Sequence, residues 1–96
     1  MALLFEWDEK KAAENLSKHR VDFREAATVF QDNRSVTFPD EAHSTSERRY
    51  LIVGRSQSGR ILVVSHTEVS EDVLRLISAR TPTKRERRFY EEGESN

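Results

Sequence analysis

Residues 48–80, RRYLIVGRSQSGRILVVSHTEVSEDVLRLISAR, decide the fold. They divide into three runs rich in β-branched and large apolar residues: Arg48–Arg55, Arg60–Glu68 and Val73–Arg80. Such side chains fit a pleated, half-buried surface, so each run is predicted to be a strand. Ser56-Gln57-Ser58-Gly59 separates the first two, a loop of ordinary hairpin length with glycine at its end. Ser70-Glu71-Asp72 leads into the third. The middle of the sheet does not alternate cleanly. Leu51-Ile52-Val53 and Ile61-Leu62-Val63-Val64 are apolar on both faces, the pattern of strands covered on both sides.

Working outward, Val36–Phe38 is a short strand stopped by Pro39, and Asp40–Glu47 is a polar loop. Leu3–Trp7 is a candidate edge strand. Asp8 can cap a helix in which Ala12, Ala13, Leu16 and His19 recur at helical spacing. Asp22 stands three residues before Glu25, with Val21 ahead of it, which resembles a capping box with a staple residue. Phe23, Ala26, Ala27 and Phe30 then form one apolar stripe. Downstream, Pro82 ends the last strand. Thr83 and Glu86 form a second capping box for a helix over Lys84–Glu92, which Gly93 can close. The expected architecture is α+β, in the order β-α-α-β-β-β-β-α: a small antiparallel sheet with two N-terminal helices and one C-terminal helix. One domain is expected over residues 1–96. Three short helices cover both sheet faces only in part, and a bound partner would complete the cover.

Composition narrows the function classes. Hydrophobic residues make up 35% of the chain and charged residues 34%, so the core is thin. The chain has no cysteine, which excludes disulfides and thiolate metal sites. It has no apolar run of membrane-spanning length, and its first ten residues lack the layout of a signal peptide. The cytoplasm is the expected location. The net charge of −1 conceals an asymmetry: residues 1–47 carry −4, residues 48–88 carry +6, and the tail is acidic. A basic block of that size either attracts phosphates or is a solvated helix face.

Strand residues two apart share a face. On strict alternation His66 lies with Arg60, Leu62 and Val64, and Arg55 with Leu51 and Val53. By the same rule Arg80 lies with Leu76 and Ser78, and Arg75 with Ile77 and Ala79. A rim of Arg and His at a sheet surface can bind RNA phosphates and stabilise a pentacovalent phosphorane. RNA carries its own nucleophile, the 2′-OH, so no metal or cofactor is needed if side chains move the protons. Histidine suits that role. The catalytic candidates are His43, Arg55, His66, Arg80 and Tyr90; the RNA-binding candidates are Arg60, Arg75, Lys84, Arg85, Arg87 and Arg88. Structural roles compete at each. His66 can cap a strand, His43 can hold a turn, Arg80 can pair with Glu86, and Tyr90 can be a core aromatic. The histidine spacing fits no metal-ligand pattern, and neither a glycine-rich phosphate loop nor a nucleophile elbow is present.

Longer segments carry a resemblance. Phe5-Glu6-Trp7-Asp8, Lys11-Ala12, Asn15 and Lys18-His19 open it. Phe23 to Ala26, Val29-Phe30 and Asp32 continue it, then Asp40, His43-Ser44, Glu47-Arg48, Ile52-Val53-Gly54 and Gly59-Arg60. Ile77-Ser78-Ala79-Arg80, Glu86-Arg87-Arg88 and Tyr90-Glu91 complete it. In that order, from about Phe5 to Glu92, the chain resembles the BrnT toxins of type II toxin-antitoxin systems. The resemblance implies a RelE-like fold and a metal-independent endoribonuclease that arrests translation and growth. It also implies a BrnA-like antitoxin with a ribbon-helix-helix part, which neutralises the toxin and, in complex with it, represses their operon through operator DNA. A catalytically inactive homologue serving as an antitoxin-binding corepressor module is the alternative. Two departures stand out. Arg20 occupies the position after Lys18-His19 where the family has glycine, and Thr67–Ser70 lacks an arginine often found there.

Overall fold

A computed structural model describes residues 3–94. The outer limits of the expected domain, residues 1–2 and 95–96, lie outside the described residues. The strands are β1 (Leu4–Glu6), β2 (Val36–Pro39), β3 (Tyr50–Arg55), β4 (Ile61–Ser70) and β5 (Val73–Arg80). The helices are α1 (Glu9–His19), α2 (Phe23–Thr28) and α3 (Lys84–Glu94), with single 3-10 turns at Val29–Gln31 and Glu41–His43. The element order is the one expected from the sequence. The sheet order is β1-β5-β4-β3-β2. Every pairing is antiparallel except that of β1, which lies parallel along the β5 edge. Gly93 falls inside α3 rather than closing it.

Both faces of the middle strands are covered, as their unbroken apolar runs require. On one face Ile52, Leu62, Val64, Leu76 and Ala79 pack against Val21, Phe23, Ala26 and Val29 from the α1–α2 region. On the other, Val53, Ile61 and Val63 pack with Tyr90 of α3. That second cluster is small, so α3 shields only part of its face.

Alternation fails once in β5. Ser65 pairs with Ser78 and His66 with Leu76, which leaves Ile77 as an extra, bulged residue. Leu76 and Ala79 therefore share the α1–α2 face although they stand three positions apart. Ile77, Ser78 and Arg80 turn to the opposite face, where they line one cleft. The expected grouping of Arg80 with Leu76, and of Ile77 with Ala79, is corrected by this bulge.

Local contacts fasten the helices. Asp8 caps α1 by accepting from the Lys10 and Lys11 amides. Buried Asn15 donates to the carbonyls of Val21 (3.0 Å) and Ala79 (2.9 Å) and accepts from the Ala79 amide (3.0 Å). It thus pairs with β5 as a neighbouring strand residue would. Asp32 accepts from the amides of Arg34 (2.9 Å) and Arg55 (2.8 Å) and from the Tyr90 hydroxyl (2.5 Å), which ties the turn before β2 to β3 and α3. Gly54 permits this approach, since a Cβ there would stand 2.8 Å from Val29 Cγ1.

Arg20 takes the left-handed conformation that glycine adopts most readily (φ 61°, ψ 31°), with its amide bonded to the Leu16 carbonyl. A side chain in that region costs about 1–2 kcal/mol, partly offset because glycine loses more entropy on folding. Arg20→Gly is therefore expected to raise unfolding stability by about 0.5–1 kcal/mol in urea titration. An unchanged or lowered midpoint would show that the strain is relieved by other contacts of Arg20.

Candidate active site

Where α3 leaves the sheet uncovered, the β3–β4–β5 surface floors an open cleft of about 390 Å³. Leu51, Ser65, Ile77 and Ser78 line it from the strands, Arg80 from the end of β5, and Asp40, His43 and Arg49 from the segment between β2 and β3. The 3-10 turn at Glu41–His43 brings His43 back over Asp40, so that His43 Nδ1 lies 2.9 Å from Asp40 Oδ2. A carboxylate only accepts, so Nδ1 carries the proton. In the neutral ring Nε2 then keeps a free lone pair. The Ser44 hydroxyl fixes the segment by donating to the Asp40 carbonyl (2.7 Å) and accepting from the Arg49 amide (3.0 Å).

Arg80 is held end-on by Glu86, with Nη1 to Oε1 at 2.7 Å and Nη2 to Oε2 at 3.0 Å. Glu86 also accepts from the Thr83 amide (2.9 Å), and the Glu86 amide donates to Thr83 Oγ1 (3.2 Å), so the expected capping box forms. Hydrogen bonding from Arg80, opposed by burial and aided by Thr83, lowers the Glu86 carboxyl from 4.5 to about 2. Arg49 contacts Glu47 at 3.3 Å.

The remaining sequence candidates lie elsewhere. His66, 4% exposed, is on the opposite sheet face, with its ring against Phe30 and Tyr50 and its Nδ1 donating to the Val64 carbonyl (3.2 Å). Burial pushes its imidazole below the ordinary 6.5. Tyr90 faces the sheet from α3, with the Arg55 guanidinium 5.8 Å from its ring centre. Arg60 is clasped by Glu25 through Nε (2.8 Å) and Nη2 (2.7 Å) and donates to the Arg20 carbonyl. Arg75 pairs with Glu6 (2.7 Å), and Arg87 with Glu91 (3.3 Å). Lys84, Arg85 and Arg88 lie along α3. Of the five catalytic candidates, then, the cleft brings together His43 and Arg80 alone.

The sequence candidates for catalysis or RNA binding do not include Asp40, Arg49, Ser65 or Ser78. Arg49 could have been found by extending the Arg55–Val53–Leu51 face two residues further. Asp40 stands three residues before His43, within reach across one turn. Nothing local marked Ser65 and Ser78, which become neighbours only through β4–β5 pairing. Among the described residues, no three His, Cys, Asp or Glu side chains gather as metal ligands, and no helix is long and apolar enough to cross a membrane.

The fold is thus a five-stranded, mostly antiparallel sheet whose partly covered face carries a His–Asp pair and two arginines in one open cleft. Residues 7–86 match the family described as "Ribonuclease toxin, BrnT, of type II toxin-antitoxin system", and the chain belongs to that family. Among solved structures it is similar to the Brucella abortus ribonuclease toxin BrnT, known from a 1.1 Å crystal structure. The two share 26% identity and a TM-score of 0.63, over 88% of this chain and 99% of that one. No curated protein matches the sequence.

The partly buried ion pairs set the acid response. Glu25 is lowered from 4.5 to about 2, first by hydrogen bonding from Arg60, with burial opposing and Ser58 and Ser56 assisting. A carboxyl whose folded value lies below its unfolded value stabilises the fold above pH 4.5. That stability is lost as pH falls from 4.5 toward 2. Glu25→Gln should therefore flatten the thermal-melting curve across that window, with Glu86 and Asp32 supplying the slope that remains. An equally steep curve would remove Glu25 from the linkage. His66 acts in a different range. Its folded value lies below its unfolded value, so stability should decline as pH drops below about 6.5. A His66→Phe variant that keeps this decline would assign it to another group.

Proposed function

We propose that the chain is a metal-independent endoribonuclease that cleaves RNA at the Asp40–His43–Arg49–Arg80 cleft. The observation that carries this reading is the meeting of an oriented imidazole and two guanidinium groups in one open cleft. His43 Nε2 takes the proton of the RNA 2′-OH as that oxygen attacks the adjacent phosphorus. The P–O2′ bond forms and the P–O5′ bond breaks. Water admitted by the open cleft gives a proton to the departing 5′-oxygen, and the hydroxide so formed takes back the proton held by His43, which restores both. The products are a 2′,3′-cyclic phosphate and a 5′-hydroxyl end. Arg49 and Arg80 stabilise the phosphorane charge, which grows toward the transition state. Glu86 preorganises Arg80, and Asp40 holds the His43 tautomer. The hydroxyls of Ser65 and Ser78 can donate to the non-bridging oxygens. His66 and Tyr90 keep structural roles in this scheme. RNA supplies the nucleophile and the protein supplies the charge, so the step needs no cation.

In the cell, cleavage in the cytoplasm would arrest translation and growth. A BrnA-like antitoxin with a ribbon-helix-helix part would silence the toxin, and the complex would repress its own operon at operator DNA. The family's toxin-antitoxin character and the half-covered sheet support a protein partner.

Purified protein incubated with single-stranded RNA in excess EDTA is expected to produce cyclic-phosphate ends. Removing a general base costs about 10²–10⁴-fold, and removing a charge stabiliser about 10²–10³-fold. His43→Gln and Arg49→Ala should lose activity on those scales while melting near wild type, and both should relieve growth arrest on induced expression. Cleavage that EDTA abolishes would refute metal independence. Full activity in both folded variants would move the chemistry out of this cleft.

A further inference from the structure

Beside the cleft lies a larger, apolar groove of about 500 Å³. Val36 and Phe38 of β2, Val53 of β3, and Arg85, Glu86 and Phe89 of α3 line it. Glu86 and Tyr90 turn α3 toward the sheet, which leaves Arg85 and Phe89, one helical turn apart, on the flank that overhangs β2. Phe89 is 56% exposed, an unusual position for a large aromatic in a chain with so small a core.

The groove is adjacent to the cleft, and the strands fix the spacing. Phe38 lines the groove and Asp40 the cleft, two residues on along the same chain. Val53 lines the groove and Leu51 the cleft, two residues apart on β3. Two strand residues span about 7 Å, close to the length of one extended nucleotide. Between the two hollows stands the Arg80–Glu86 pair, whose arginine lines the cleft and whose glutamate lines the groove. Glu86 is neutralised there, while Lys84, Arg85 and Arg88 add positive charge along the same helix. An exposed aromatic ring among cations, one nucleotide step from a phosphate site, has the makings of a base-stacking platform on a single strand.

We infer that this groove is a nucleobase subsite. It takes the base of a nucleotide next to the scissile phosphate, stacked on Phe89 above the apolar floor of Val36, Phe38 and Val53, with Arg85 at the intervening phosphate. The inference rests on the ribonuclease reading above and adds the element that would give cleavage a sequence or position preference.

The test uses a single-stranded RNA that the wild-type protein cuts, remade with a 2′-deoxy nucleotide at the cut so that it binds without reacting. Affinity is read by fluorescence anisotropy for wild type, Phe89→Ala and Phe89→Tyr. Stacking of one base supports a loss of about 5- to 100-fold in Phe89→Ala, with most of the affinity retained in Phe89→Tyr. An abasic nucleotide placed in turn on either side of the cut should weaken wild type by a similar factor at one position only. That position should cost Phe89→Ala nothing further. The abasic scan on wild type keeps the proposal testable even if a variant folds poorly. Equal binding by folded Phe89→Ala, or an abasic scan without a sensitive position, overturns the subsite while leaving the ribonuclease reading intact. Unchanged RNA binding together with lost rescue by a co-expressed antitoxin would mark the groove as a protein-docking surface and also overturn it. A wild-type protein that cuts no RNA at all would defeat both readings.

Discussion

One inserted residue in β5 decides which way Arg80 faces. With regular alternation Leu76, Ser78 and Arg80 would share a sheet face, and either the core would receive an arginine or the cleft would lose one. The bulge at Ile77 lets Leu76 and Ala79 stay in the core beneath α1 and α2 while Ser78 and Arg80 turn to the open side. Bulges bend and twist the strand that bears them and re-aim its side chains. Here the re-aimed arginine meets Glu86, whose capping box sets the start of α3. The position of α3 then determines which part of the sheet is covered and which remains a cleft. Catalytic geometry and helix placement thus share one irregularity.

The same structure divides the cations of the basic block by task. Arg60 holds the β3–β4 turn to α2 through Glu25, and Arg75 clips β1 to β5 through Glu6. Arg55 lies beside Tyr90 of α3. These contacts fasten elements that a thin apolar core leaves weakly joined. Arg49 and Arg80 border the cleft, and Arg85 borders the groove. Net charge along a chain therefore overstates how many cations can meet a phosphate, because Arg60 and Arg75 are tied to carboxylates away from the cleft.

Legibility in the sequence followed the range of the interaction. β3, β4 and β5 were readable because their apolar runs and the Ser56–Gly59 turn are local signals. The Thr83–Glu86 box was readable because both partners lie within one helical turn. Glu25 shows the opposite case. Its spacing from Asp22 pointed to a capping box, yet its carboxylate goes to Arg60, Ser56 and Ser58, more than thirty residues away. A bidentate arginine outcompetes a single backbone amide. Strand β1 was found, but three residues carry no mark of parallel pairing. The Ile77 bulge has no glycine to announce it, so strict alternation misplaces the neighbours of Arg80. His66 and Tyr90 are residue types that catalysis favours, but each lies in a buried setting that only the folded chain creates.

Asn15 carries a consequence for how the molecule meets other chains. An open sheet offers unpaired backbone at its two edges, and such edges recruit further strands. Along β5 the lower half is taken by β1, itself only three residues long. Above it, the Asn15 side chain occupies both the amide and the carbonyl of Ala79. At the far side of the sheet, β2 ends in Pro39, which has no amide hydrogen to offer. One carboxamide and one proline ring thus leave little template for strand exchange or fibril growth. The protein thus offers its surroundings a sheet face and a helix more readily than a strand edge.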